Sequence, residues 1–275
     1  MGIPDDFQFS QANLQDYVDC PRRFQLRHLL QLSWPAVQAE PVAETEHHAQ
    51  QGVLFHRMVH QSLIGVPYEQ ITNLTKDEEL RKWWDDFVCI IQPLLPPTRY
   101  PEVTLSAPFG GYRLLAKYDL IALNPDGSVS IFDWKTSRHQ ARREWLADRL
   151  QSRVYPYLFA LAGERLIRQL SSCPEKIEMI YWFPASQTTE RFQYSEAQYK
   201  EDETYLANLT REIAANDDTE FPRTANVTAC KCCLYRSLCD RGEKAGNLNE
   251  MDQDETLEYN DHTVLDFDQV AEVEY

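Results

Sequence analysis

No apolar run in the 275 residues approaches the ~18 expected of a membrane-crossing helix, so a soluble, cytoplasmic chain with no membrane partner is expected. Internal repeats are also missing. The seven cysteines are odd in number and no signal peptide precedes the first predicted element, so a disulfide framework is not expected. Positive charge is scarce: 27 Lys and Arg face 43 Asp and Glu, a net charge of -16, which at first sight argues against a nucleic-acid partner. The imbalance is local, however. From Glu243 onward eleven carboxylates face one lysine, which leaves only -6 on residues 1–242.

That tail, residues 243–275, has neither a helical nor a strand period and reads as disordered. It is either a solubilising appendage or a competitor whose acids, with Leu265, Phe267, Val270 and Tyr275, lie over a nucleic-acid groove. Residues 1–242, within a chain of 43% hydrophobic content, are enough for one large core with helical additions. Helices are expected over 9–32, 50–64 and 76–92, with a Pro- and Glu-containing loop at 33–49. The PLLPPTRYP segment marks passage into strands at 102–109, 112–123 and 128–134, the last two joined by an Asn-Pro-Asp-Gly turn. A helix follows near 140–162. The KIEMIYWFP strand then lies parallel to the 128–134 strand through a right-handed crossover, and helix 195–215 leads to a cysteine-rich end. The fold class is α/β.

The chemistry concentrates between Asp119 and Tyr155. Side chains alternate faces along a strand, so Asp133 and Lys135 share one side while Phe132 and Trp134 take the other. An Asp and a Lys so spaced are usually an exposed pair. Here Asp133 sits among Val129, Ile131, Phe132 and Trp134, and Asp119 sits between Tyr118 and Leu120, where an unpaired charge is costly to bury. A hard divalent ion such as Mg2+ or Mn2+, shared by both carboxylates, resolves that cost, and phosphodiester hydrolysis needs such charge. Lys135 then orients a water or holds a phosphate oxygen. Gln151 and Tyr155, four apart, share a helix face one turn apart and reach the lysine, the water or the phosphate. Arg138, Arg142, Arg143, Arg149 and Arg153 either track a sugar-phosphate backbone or form a solvated helix face. Glu102 is a further candidate ligand or base.

This ordered set resembles the PD-(D/E)XK nuclease superfamily, and more narrowly its RecB-like branch, over most of residues 9–242. The resemblance implies a restriction-endonuclease-like mixed sheet core flanked by helices, with an N-terminal helical region and a C-terminal cysteine module. It also implies that His56, in Gly52-Val-Leu-Phe-His56, is a metal ligand beside Asp119 and Asp133; His60 competes on the same face. Where the family often has glycine three residues before the aspartate, this chain has Ala116.

Cys20 stands alone near the start, and Cys230-x-x-Cys233-x5-Cys239 closes the other side. Spacing alone leaves zinc and an iron-sulfur centre open, and leaves Cys232 open as a substitute for Cys233. With Phe9-Ser10, Leu14, Tyr17 and Cys20-Pro-x-x-Phe24, the pattern is similar to the iron-sulfur nucleases of that branch, the AddB-type and CRISPR-adaptation exonucleases, and so implies a structural 4Fe-4S cluster. Cys89 and Cys173 are expected to be core residues. The resemblance further implies a DNA substrate with single-stranded or free ends, and a helicase or integrase partner. A catalytically silent DNA-binding scaffold subunit and a zinc adaptor are the alternatives.

Overall fold

The computed structural model describes residues 2–32, 39–137, 141–167 and 173–247. The acidic segment from 248 onward and Arg138 therefore lie outside the described residues.

A central mixed sheet carries the fold. Strand β1 (Gln8–Ser10) leads into helix α1 (Gln11–Asp19), which opens with a capping box: Ser10 Oγ accepts from Asn13 N, and Asn13 Oδ1 accepts from Ser10 N. Helix α2 (Pro21–Phe24) starts on Pro21 and runs on as a π-helical turn to Leu29. A short strand β2 (Ala39–Glu40) precedes the long helix α3 (Val42–Leu63), and two further helices follow, α4 (Tyr68–Thr72) and α5 (Glu78–Asp86). The helix at α3 begins eight residues before its expected start at 50, because Ala43 to Gln51 contains no glycine or proline to interrupt it.

Strands β3 (Thr98–Phe109), β4 (Tyr112–Leu123) and β5 (Val129–Trp134) form an antiparallel meander. The Asn-Pro-Asp-Gly turn closes as expected, with Asn124 N–H on Ser128 O at 2.8 Å and Gly127 at φ +80°, a conformation that favours glycine. Pro101 is tolerated within β3 because β3 is an edge strand, paired with β4 alone. The single helix expected near 140–162 is two: α6 (Arg143–Asp148) and α7 (Leu150–Ala162) break at Arg149, which is extended. Strand β6 (Ile177–Phe183) pairs parallel to β5, β7 (Thr188–Gln193) adds antiparallel to β6, and α8 (Glu196–Ala215) leads to the cysteine lobe. The lobe continues past 242, since a two-residue strand β8 (Gly246–Asn247) pairs with β2.

Each face of the sheet has its own core. On one side Val129, Ile131, Tyr181 and Phe183 pack with Val154, Tyr157 and Leu158 of α7 and Leu206 of α8. On the other, Phe132, Trp134, Ile180 and Trp182 pack with Phe55, Met58 and Val59 of α3 and with Trp83, Trp84 and Phe87 of the α5 region.

The alternation of β4 reverses midway. Leu114, Ala116 and Tyr118 point to the α7 side, whereas Leu120 and Ala122, of the same parity, point to the α3 side. The matching row of β3, between the Pro101–Leu120 and Val103–Tyr118 pairs, holds Glu102 at φ +52°. A non-glycine residue in that region is uncommon and strained, and here it stands in the row of the two carboxylates.

Candidate metal site and cysteine lobe

Three strands bring carboxylates to one end of the sheet. The Pro101–Leu120 and Val103–Tyr118 pairs bracket the row of Glu102 of β3 and Asp119 of β4, and continuing the β4–β5 register by one residue sets Asp119 opposite Asp133. The ladder stops there, and Asp119 Oδ2 instead accepts the Trp134 backbone N–H at 2.9 Å. Its other oxygen meets His56 Nδ1 of α3 at 3.2 Å. Donor atoms of His56, Glu102 and Asp119 all lie within 4.8 Å of one another. Glu102 also pairs with Lys117.

Asp133 keeps the parity of Ile131 and so faces α7, where Gln151 Nε2 donates to its Oδ1 at 2.6 Å. Lys135 Nζ stands 3.2 Å from Asp133 Oδ2 and 5.7 Å from the centre of the Tyr181 ring. Tyr181 escaped the sequence reading because only the parallel register, Asp133 against Tyr181, brings it there. The Tyr155 ring packs on Tyr118 at 4.8 Å, and its carbonyl accepts the Tyr118 hydroxyl at 2.9 Å. Tyr155 thus shares the α7 face with Gln151 while packing in the core beneath it.

Electrostatics joins the two halves of the site. Burial, the largest influence on His56, pulls its pKa down, but the Asp119 carboxylate, its hydrogen bond, Asp133 and Glu102 outweigh it and lift the imidazole to about 9. Burial pushes Asp119 up, but His56, the Trp134 N–H and Lys135 together hold it below the usual carboxylate range. Two carboxylates and an imidazole are the donor set that a hard or borderline divalent ion takes; Asp133, paired with Lys135, is not in that group of three.

Three arginines of the 142–153 region make ion pairs within the protein. Arg143 pairs with Glu190, Arg149 with Asp19, and Arg153 with Glu201 and the fully buried Asp202.

Cys20 ends α1, its N–H on Asp16 O, and α2 is stitched to the C-terminal lobe by Arg22 N–H on Pro222 O at 3.0 Å. Gln25 donates to Thr219 O and accepts from Phe221 N. Burial first, then Cys20, raises the Cys230 thiol, and burial is the main cause lifting Cys233, which also feels Cys20 and Cys239, to about 11. Cys239 is likewise raised by burial and by Cys20 and Cys230, against the pull of Arg223 and Arg22. Cys232 points elsewhere, its Sγ 3.0 Å from where a β-carbon on Gly246 would stand. Neither Cys89, which is exposed, nor Cys173, which is half-buried and donates to Glu175, is the core residue expected.

A mixed sheet flanked by helices, with acids from adjacent strands and an Asp-x-Lys strand, defines a restriction-endonuclease-like α/β protein. Residues 8–240 match the PD-(D/E)XK nuclease superfamily, and the chain belongs to it. Members of that superfamily use divalent metals. No curated protein matches the chain. Among solved structures it is similar to SSO0001, with 16% identity over 86% of this chain and 87% of that one and a TM-score of 0.44. It is also similar to a candidate exonuclease from Eubacterium rectale, with 9% identity over 77% and 83% and a TM-score of 0.47. At these scores neither neighbour bears on activity, and the family assignment rests on the match over residues 8–240.

Proposed function

We propose that this nuclease is a Mg2+- or Mn2+-dependent deoxyribonuclease of the RecB-like branch, acting on single-stranded or free DNA ends as an exonuclease in repair, recombination or CRISPR adaptation. The observation that carries the reading is the meeting of His56, Glu102 and Asp119 within 4.8 Å, beside an Asp133 held by both Gln151 and Lys135.

His56, Asp119 and Asp133 hold the metal, and Glu102 adds a donor. When bound, the ion supplies positive charge against the negative charge that develops on the phosphate. Lys135 contributes a second cation, fixed by Asp133 and the Tyr181 ring, to orient the attacking water or to hold a phosphate oxygen. Gln151 fixes the Asp133 carboxylate through Oδ1 and leaves Oδ2 to the lysine side. Tyr155, below Gln151, supports the helix face that carries it.

Cys20, Cys230, Cys233 and Cys239 hold a 4Fe-4S cluster with a structural role. The choice of a cluster over zinc rests on the likeness of this cysteine pattern to the iron-sulfur nucleases.

The test is cleavage of end-labelled single-stranded, duplex and flapped DNA with and without Mg2+ or Mn2+, with Asp133→Ala as control. Metal-dependent cleavage by the wild type alone is expected. Equal cleavage by both proteins, or none by the wild type, removes the enzyme reading.

A further inference from the structure

Asp19, the residue immediately before Cys20, is the hub of a network that reaches the start of α7. Its Oδ1 accepts from Gln15 Nε2 at 2.8 Å. Its Oδ2 meets Arg23 Nη2 at 2.8 Å and Arg149 Nη1 at 3.6 Å. Gln15, only 5% exposed, then spends its amide oxygen on another element: Oε1 accepts the backbone N–H of Leu150 at 2.9 Å.

Leu150 is the first residue of α7, and Arg149 before it makes no side-chain cap. The first N–H groups of a helix have no partner within the helix, and one left buried without a partner costs about 1–3 kcal/mol. Gln15 supplies the missing acceptor from α1. The next residue is Gln151, whose amide fixes Asp133 Oδ1 at 2.6 Å. Arg149 is also clamped, between Asp19 and the Trp145 ring at 4.8 Å. The break between α6 and α7 therefore lies where α1 grips the chain, and that grip sets where α7 begins.

We propose that Gln15 is a positioning residue for Gln151 and Asp133: by capping α7 from the segment that ends in Cys20, it couples the state of the cysteine lobe to the geometry of the metal site. The inference rests on the nuclease reading for its catalytic consequence, but not for the coupling itself. Loss of whatever the cysteines hold frees the Cys20 turn, loosens Asp19 and Gln15, and releases the first turn of α7. Misplacement of a reacting group by about 1 Å can cost on the order of 10²-fold in rate, so a small release suffices.

The experiment compares full-length wild type, Gln15→Leu, Gln15→Glu and Cys20→Ser, purified anaerobically, by hydrogen exchange at the start of α7 and by Mg2+-dependent cleavage of labelled single-stranded DNA. Gln15→Leu keeps the size of the side chain and removes the acceptor. It is expected to retain the metal content of the cysteine lobe, exchange faster at Leu150, and lower kcat about tenfold with KM little changed. Gln15→Glu retains the acceptor and is expected to recover most of the protection and most of kcat. Cys20→Ser is expected to speed exchange at Leu150 although it lies far away in the chain. Unchanged exchange at Leu150 in either Gln15→Leu or Cys20→Ser overturns the coupling, whatever the activity. Faster exchange with kcat within twofold of wild type overturns the positioning role. If the wild type cleaves no DNA, the nuclease reading fails by itself, and the exchange data still decide the coupling.

Discussion

Gly52 of α3 stands against Thr136, so close that a β-carbon on the glycine would lie 2.6 Å from Thr136 Oγ1. Helix α3 can therefore approach the segment just after Lys135, and His56, one turn further on, is carried to Asp119. Gly52→Ala should gain about 1 kcal/mol of helix propensity and lose more, about 1–3 kcal/mol, to overpacking. The net expectation is a lower melting temperature and weaker Mg2+-dependent cleavage. Thr136→Ala in the same chain should restore both; a single Gly52→Ala protein indistinguishable from wild type would mean the contact is slack.

Glu102 is held by Lys117 on one side and faces His56 and Asp119 on the other. Glu102→Gln should raise the Mg2+ concentration for half-maximal cleavage about 10–100-fold, the usual scale for loss of a metal-site group, while kcat at saturating metal falls little. Titrating cleavage rate against Mg2+ checks this. A fall in kcat with unchanged metal dependence would assign Glu102 to proton transfer instead.

His56 binds a metal only as the neutral imidazole. Its raised pKa means that in metal-free protein the charged form contributes stability fully below pH 6.5, and that this is lost as pH rises through about 9. Metal affinity should change in the opposite sense and climb across that interval, with release of a proton. Calorimetry of Mn2+ binding at several pH values, in buffers of different ionisation enthalpy, measures both. A flat profile would exclude His56 as a ligand.

Asp77 caps α5, accepting from Leu80 N at 2.9 Å, and ties it to α3 through Gln51 and His47. The Leu80 hydrogen bond is the main cause of its depressed pKa. A carboxylate whose folded pKa lies below 3.8 contributes stability above that pH and loses it as pH falls through the folded value. Asp77→Ala should cost about 1 kcal/mol at pH 7 and progressively less as the pH falls through the folded value, read from urea midpoints.

Cys232 and Cys233 are neighbours in sequence with opposite expectations. Cys233→Ala should purify with less metal and melt lower, because binding energy at such a site is also folding energy. Cys232→Ala, whose sulfur lies by Gly246, should keep both. Metal analysis and thermal melts of anaerobically purified protein distinguish them.

Much of the site is encoded locally. The two-residue period of a strand puts Asp133 and Lys135 on one side, the helical period puts Gln151 and Tyr155 on another, and the Asn124–Gly127 turn sets β4 beside β5. The cap residues Ser10, Asp77 and Ser195 likewise act within three residues of themselves. These features follow from backbone geometry that short segments carry with them.

Only the tertiary structure decided the rest. The reversal of facing along β4 falls at the row of Glu102 and Asp119, and no alternation pattern in either strand alone reports it. Arg149 breaks a helix that its sequence would continue, because Asp19 and Trp145 hold it from outside. Cys232, unlike its neighbour in sequence, sets its sulfur by Gly246, and the reach of His56 depends on Gly52 lying against Thr136. Register, facing and approach distance are set by packing between segments far apart in the chain, and the energies that choose among them exist only once those segments are in contact.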